Sequence, residues 1–307
     1  MQLSQLLQKS GMIYEYLKLK PWMTTYMNVK PMQKLTEKHI SGLGFKMNQI
    51  TKRDGQILLN TKEEDLRVKL ILAYYSMQLM PAFLIEGCLS IFLKNSVFAN
   101  DSYQDGTPVA MQPLYDIILL YTDLLLNESF LNYDLSKQRV LQSVDFFVKK
   151  GYLRVEGENC IVVNKDSFTV FLDFFRKLIN PVIDTYMITL TALGEMCGKN
   201  LVVKFKKLSK EIHVAIKRLY QLQVIPNLHS CLMETIQTSL ERYAQLGYIE
   251  MRSYATKHGS TSRYLACPID SKPKIDQLWK KLKEHRHITK QQEDACFQEI
   301  EETIIRT

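Results

Sequence analysis

An apolar run from Phe168 to Gly198, FTVFLDFFRKLINPVIDTYMITLTALGEMCG, leaves few folds open to this chain. It is too long for a strand and carries a proline, Pro181, inside it. A near copy, AYYSMQLMPAFLIEGCLSIFLKN, stands about one hundred residues earlier, and the two superpose without a gap. Tyr74, Tyr75 and Pro81 fall on Phe174, Phe175 and Pro181, and an acid follows each proline, Glu86 in one copy and Asp184 in the other. An internal repeat takes precedence over other readings, because each copy then expects the same surroundings.

The flanks repeat as well. LTEKHISGLGFKMNQITKRDGQILLN precedes the first copy and LSKQRVLQSVDFFVKKGYLRVEGENCIVVN the second. Each reads as a helix closed by glycine, an aromatic residue, then two short strands around a polar turn, Arg53-Asp54-Gly55 or Glu156-Gly157-Glu158. A third version, MRSYATKHGSTSRYLACP, follows Leu246-Gly247-Tyr248 and has a longer polar tip at His258 to Ser262. Gly44, Gly151 and Gly247 stand where a left-handed residue stops a helix. The expected fold is mainly α with small β-hairpins, in helix-helix-hairpin units of winged-helix outline, each followed by a long helix. Three parts are expected: 1–98 with a proline-kinked helix at 66–95, 99–198 with one at 168–197, and 199–307 with the third hairpin and a charged terminal helix.

At 46% hydrophobic residues in 307 the chain can bury a sizeable core. Cys88, Cys160, Cys197, Cys231, Cys267 and Cys296 are scattered without a CxxC, which argues against a zinc site or a disulfide framework and for a reducing compartment. The net charge of +8 points to an anionic partner. The first 23 residues lack the compact apolar core of a secretory signal; Ser4, Lys9, Ser10, Lys18 and Lys20 resemble a transit peptide, but without arginine. Residues 70 to 93 hold one charge, Glu86, and are long enough to cross a bilayer, yet Tyr74, Tyr75, Ser76, Gln78 and Pro81 favour a helix buried in protein or lying on a membrane. Residues 95 to 113, with Asp101, Asp105, Gly106, Pro108 and Pro113, read as a linker.

Residues 199 to 218, KNLVVKFKKLSKEIHVAIKR, carry seven Lys or Arg against one Glu, with apolar residues at helical spacing. A solvated outer face on an ordinary core helix explains this pattern. The sharper alternative is contact with anionic lipid headgroups through Lys204, Lys206, Lys207, Lys210, Lys217 and Arg218. The segment Lys274 to Arg306 reads as one charged helix with Trp279, Leu282, Phe297, Ile300 and Ile304 on its packed stripe. Catalytic signatures are missing: the sequence has no GxxxxGK[ST] loop, no GxSxG elbow and no HExxH. No catalytic, cofactor-binding or metal-ligating residue is therefore assigned. Glu86 and Asp184 read as structural buried acids with partners.

The stretches YYSMQLMPAFLIEGCLSIFLKN, QSVDFFVKKGYL, FLDFFRKLINPVIDTYMITLTAL and CLMETIQTSLERYAQLGYIEM together resemble the C-terminal part of the glycerol-3-phosphate and dihydroxyacetone-phosphate acyltransferases, from about Leu3 to about Pro268. The resemblance implies a place in glycerolipid synthesis at a membrane. In that family an N-terminal domain transfers the acyl group from a thioester to glycerol 3-phosphate, using the His of an HxxxxD motif as base and a later FPEG stretch with basic residues for the phosphate. Five residues after His39, His213, His229, His258, His285 and His287 stand Gly44, Arg218, Glu234, Arg263, Lys290 and Gln292. None is Asp, and FPEG does not occur, so no catalytic position carries over.

The chain is accordingly expected to be inactive alone: either a fragment of an acyltransferase whose HxxxxD domain lies upstream, or a paralogue kept as a scaffold, membrane-docking or assembly module. Its partners would be a membrane surface, a membrane complex or an acyltransferase domain in trans. Its place would be an intracellular membrane, mitochondrial ahead of endoplasmic reticulum. The rival reading is nucleic-acid binding by winged-helix units through Lys52, Arg53, Arg252, Lys257 and Arg263. The helix before each hairpin carries too few Arg, Lys or Asn to favour it.

Overall fold

In the computed structural model, which describes residues 50–53, 56–59, 83–98, 106–128, 137–163, 165–255 and 261–305, the chain divides into two compact units, Met1–Lys69 and Leu70–Thr307. In the first, β1 (Ile50–Arg53) and β2 (Gln56–Leu59) form an antiparallel pair with Arg53 opposite Gln56. Asp54 and Gly55, the helix expected to end at Gly44 and the aligned residues Tyr74 to Pro81 lie outside the described residues.

In chain order the second unit contains α1 (Leu84–Leu93), β3 (Val109–Ala110), α2 (Gln112–Leu124), α3 (Lys137–Lys149), β4 (Leu153–Glu156), β5 (Asn159–Val162) and α4 (Lys165–Gly198). There follow β6 (Val202–Lys204), α5 (Phe205–Gln221), α6 (Met233–Gln245), β7 (Glu250–Ala255), β8 (Thr261–Ala266), α7 (Lys272–Arg286) and α8 (Lys290–Ile300). Two three-stranded antiparallel sheets result, ordered β3-β5-β4 and β6-β8-β7. Both arise the same way: one strand, two helices, then a hairpin whose second strand pairs with the first strand.

The glycine stops recur in both. Gly151 and Gly247 take positive φ, 75° and 74°, and close α3 and α6 with matching bonds: Tyr152 N–H to Phe147 O and Tyr248 N–H to Tyr243 O, each 2.9 Å. A side chain at this φ would be strained, which is why glycine stands there.

Helix α4 organises the core. Its 34 residues run without a break through Pro181, and every residue from Pro181 to Gly194 is buried. It packs against α1, α5, α6, α7 and α8, so it needs no polar face. Pro181 takes away one amide donor. Its own carbonyl accepts the Thr185 hydroxyl at 3.0 Å, and the same hydroxyl lies 2.9 Å from Ser230 O in the turn before α6. Against α1, a ladder of rings joins Phe83 to Phe175 at 5.4 Å and Phe175 to Phe147 at 6.1 Å. Gly87 lets the two backbones close, since a Cβ there would stand 3.0 Å from Ile179 Cγ2.

Three expectations change. The stretch 95–113 is more than a linker: Val109 and Ala110 form an edge strand, and Pro113 lies in the first turn of α2. The basic segment starts as strand β6, because Val202–Lys204 pairs with Tyr264–Ala266, and becomes helical only from Phe205. The charged terminal segment is two helices. His287 turns left-handed (φ 52°), and Thr289 then begins α8 with a capping box, accepting from Gln292 N at 3.2 Å while its own N–H donates to Gln292 Oε1 at 3.1 Å. Among the described residues no helix is long and apolar enough to cross a membrane, and 70–82 lie outside them.

Candidate functional site

The basic face follows from the helical period of α5. Phe205, Leu208, Ser209, Ile212, Ala215, Ile216 and Leu219 are buried, which turns Lys206, Lys207, Lys210, Val214, Lys217 and Arg218 outward. The six sequence-selected cations do not act as one set. Lys204, the last residue of β6, holds its ammonium 5.8 Å from the Tyr264 ring. Lys207 pairs with Glu211 at 3.5 Å. Arg218 reaches Glu299 of α8 at 3.2 Å and Thr303 Oγ1 at 3.4 Å, so it fastens the C-terminal segment to α5.

Lys206, Lys210 and Lys217 remain. They stand at i, i+4 and i+11 on one stripe and make no ion pair among the described residues. Like charges at i, i+4 cost a helix about 0.2–0.5 kcal/mol, so the stripe does not stabilise α5. Val214, one turn after Lys210, is 41% exposed on the same side; Val202 in β6 before the helix and Leu222 at its C-cap are each 65% exposed. Cations next to exposed aliphatic groups suit an anionic surface with an apolar layer beneath it.

The two selected acids lie in the helical core. Glu86 of α1 is fully buried, and burial together with its charge pushes the Cys88 thiol far up. Asp184 of α4 is 2% exposed and receives Arg286 from the end of α7 through Nε at 2.8 Å and Nη2 at 2.7 Å. Burial raises the Asp184 carboxyl and Arg286 draws it back, leaving it above its ordinary value.

Sequence reasoning passed over a second polar cluster where α2 meets α4 and α6. Arg242 of α6 donates Nε to Asp123 O and Nη2 to Asp123 Oδ1, both at 2.8 Å. Tyr243 donates to Tyr186 O at 2.9 Å, and Tyr186 donates to Glu128 Oε1 at 3.2 Å. Burial, with Glu234 nearby and Tyr186 acting against it, pushes Glu128 up to about 7. These partners are 57 to 119 residues apart, so no local spacing announced them.

Among the described residues the histidines have separate surroundings. His285 of α7 meets Tyr121 OH at 3.2 Å, and His287 meets Asn95 Oδ1. Half-buried His213 is pulled below its ordinary value, by burial first. The side chain of His229 lies outside the described residues. No group of three His, Cys, Asp or Glu able to hold a metal occurs among the described residues.

No curated protein matches this chain. The family model described as "Glycerol-3-phosphate acyltransferase C-terminal region" matches residues 1–252. That span takes in the hairpins β1-β2 and β4-β5, both acid-bearing helices and the basic face, stopping just inside β7, and the chain belongs to the family of glycerol-3-phosphate acyltransferase C-terminal regions.

Proposed function

We propose that this chain is a non-catalytic helical module of a glycerol-3-phosphate acyltransferase-like protein, and that it docks on an anionic intracellular membrane, mitochondrial ahead of endoplasmic reticulum. The observation that carries this is the stripe Lys206, Lys210 and Lys217, without ion pairs among the described residues, with exposed Val214 one turn from Lys210 and exposed Val202 and Leu222 flanking the helix ends. Each basic residue near an anionic bilayer adds about 1 kcal/mol, and the apolar neighbours add insertion. Whether an HxxxxD domain lies upstream or acts in trans, the role of this part is placement rather than chemistry: no histidine of the chain is followed by the family's Asp.

The repeated strand order supports reading two winged-helix-like units, each one strand, two helices and a wing. That shape also serves nucleic acids, but the helix before the second wing opposes it. Helix α6 carries Glu234 and Glu241, and its Arg242 is buried against Asp123.

Co-sedimentation of the full chain with phosphatidylserine vesicles tests the proposal against neutral phosphatidylcholine vesicles and duplex DNA. Binding to the anionic vesicles that falls steeply with salt and disappears in Lys206→Glu/Lys210→Glu/Lys217→Glu is expected. DNA binding without vesicle binding refutes it. The purified chain, given acyl-CoA and glycerol 3-phosphate, should release no CoA; turnover abolished by His229→Ala would contradict the non-catalytic reading.

A further inference from the structure

Away from the α5 face, cationic groups from three elements converge where the end of α1 meets α4. Lys94 follows the last residue of α1, Arg176 belongs to α4, and Arg286 with His287 closes α7. A cleft of about 100 Å³ opens there, lined by Ser90, Lys94, Thr169, Leu172, Asp173 and Arg176. His287 adjoins it through Asn95, the neighbour of Lys94, whose Oδ1 meets the imidazole Nε2.

Charge at this place is incompletely balanced. Asp173 takes Arg176 Nη2 at 2.8 Å, and Asp184 is occupied by Arg286. Lys94 has no ion pair among the described residues, and Arg176 Nε is buried without an acceptor. A buried guanidinium N–H without a partner is costly, and bringing cations together adds to that cost. The field is felt at His287: burial lowers it, and the charges of Lys94, Arg176 and Arg286 lower it further.

We propose that this cleft binds a phosphate-type oxyanion through Lys94 and Arg176, with His287 at its rim. The anion supplies the missing counter-charge and offers Arg176 Nε an acceptor, in charge-assisted bonds of the strong kind. Ser90 gives its proton to Leu172 O at 2.8 Å, so the two cationic side chains do the holding. The site differs from the α5 face in residues and in helix, and does not depend on it.

Occupancy has a signature. A dianion reverses the local field and favours the imidazolium form of His287, so binding raises this titration, and by linkage binding tightens as pH falls through it. The charges that act on it are those of Lys94, Arg176 and Arg286, with Asp173 paired to Arg176 and Asp184 to Arg286.

Sulfate is the probe, because it stays doubly charged while histidine titrates. The full 307-residue chain is titrated by NMR with and without sulfate at constant ionic strength set by chloride. His287 should rise by about one pH unit, a tenfold coupling, with saturation. Lys94→Gln should weaken sulfate binding about tenfold or more, while Lys210→Gln on α5 leaves it unchanged. Inorganic phosphate and a water-soluble short-chain phosphatidate then compete: displacement by phosphate alone assigns a free anion, displacement by the phosphatidate assigns a lipid headgroup. An unmoved His287, equal affinity in Lys94→Gln, or displacement by neither competitor overturns the proposal. Loss of vesicle binding in the α5 variants with sulfate binding intact leaves this site standing.

Discussion

Arg286 sends two nitrogens to a single oxygen of Asp184, 102 residues away, and so ties the end of α7 to the middle of α4. The side chains are 11% and 2% exposed, and removing one partner leaves the other charge in the core. Arg286→Met should cost about 3–5 kcal/mol in urea unfolding. Adding Asp184→Leu should recover most of it, because the pair is then replaced by apolar volume. A single variant as stable as the parent would show that Asp184 has another partner.

Gly87 and Ile179 set how closely α1 and α4 approach. A Cβ at Gly87 would meet Ile179 Cγ2 at 3.0 Å and Cβ at 3.1 Å, both from a stiff branched side chain. Gly87→Ala should destabilise by about 1–3 kcal/mol, although alanine is the better helix former. In the Ile179→Ala background the same change should cost less, and a double-mutant cycle reads that coupling.

Glu128 makes stability depend on pH in a particular direction. Its carboxyl is raised from 4.5 to about 7, so the folded chain holds a proton there that the unfolded chain has lost. The stabilisation is present at low pH and is lost as pH rises from about 4.5 to about 7, a difference of about 3 kcal/mol. Glu128→Gln should remove that slope. Urea midpoints of parent and variant, compared at both ends of the interval, check it.

Arg218 serves as the control for the basic face. Its bonds to Glu299 and Thr303 hold the C-terminal segment, but about half its side chain is open to solvent, so the bridge is worth less than about 1 kcal/mol. Arg218→Gln should lower stability slightly and weaken binding to anionic vesicles less than Lys210→Gln does. The opposite order would move the docking stripe to the α8 side of α5.

Much of this architecture was legible in the sequence. The apolar run around Pro181, the hairpins and the stops at Gly151 and Gly247 are local patterns, and local patterns survive folding. Strands β3 and β6 were not legible, since two or three residues show no period and pair only because β5 and β8 are already in place. The break between α7 and α8 hid because the left-handed residue is His287 rather than glycine. The basic face was visible as composition; its division into paired and unpaired cations depends on Glu299 and Tyr264, which lie far along the chain.

Helix α4 leads into the second sheet and also packs on α1, which precedes the first. A gene cut at residue 198 would strip Tyr186 and Thr189 of the cover that Tyr243 and Ser239 give them, and a cut at 164 would unroof Phe147 and Phe83. The two sheet-bearing halves thus share one indivisible beam, and shuffling either half into another protein would have to carry that beam along.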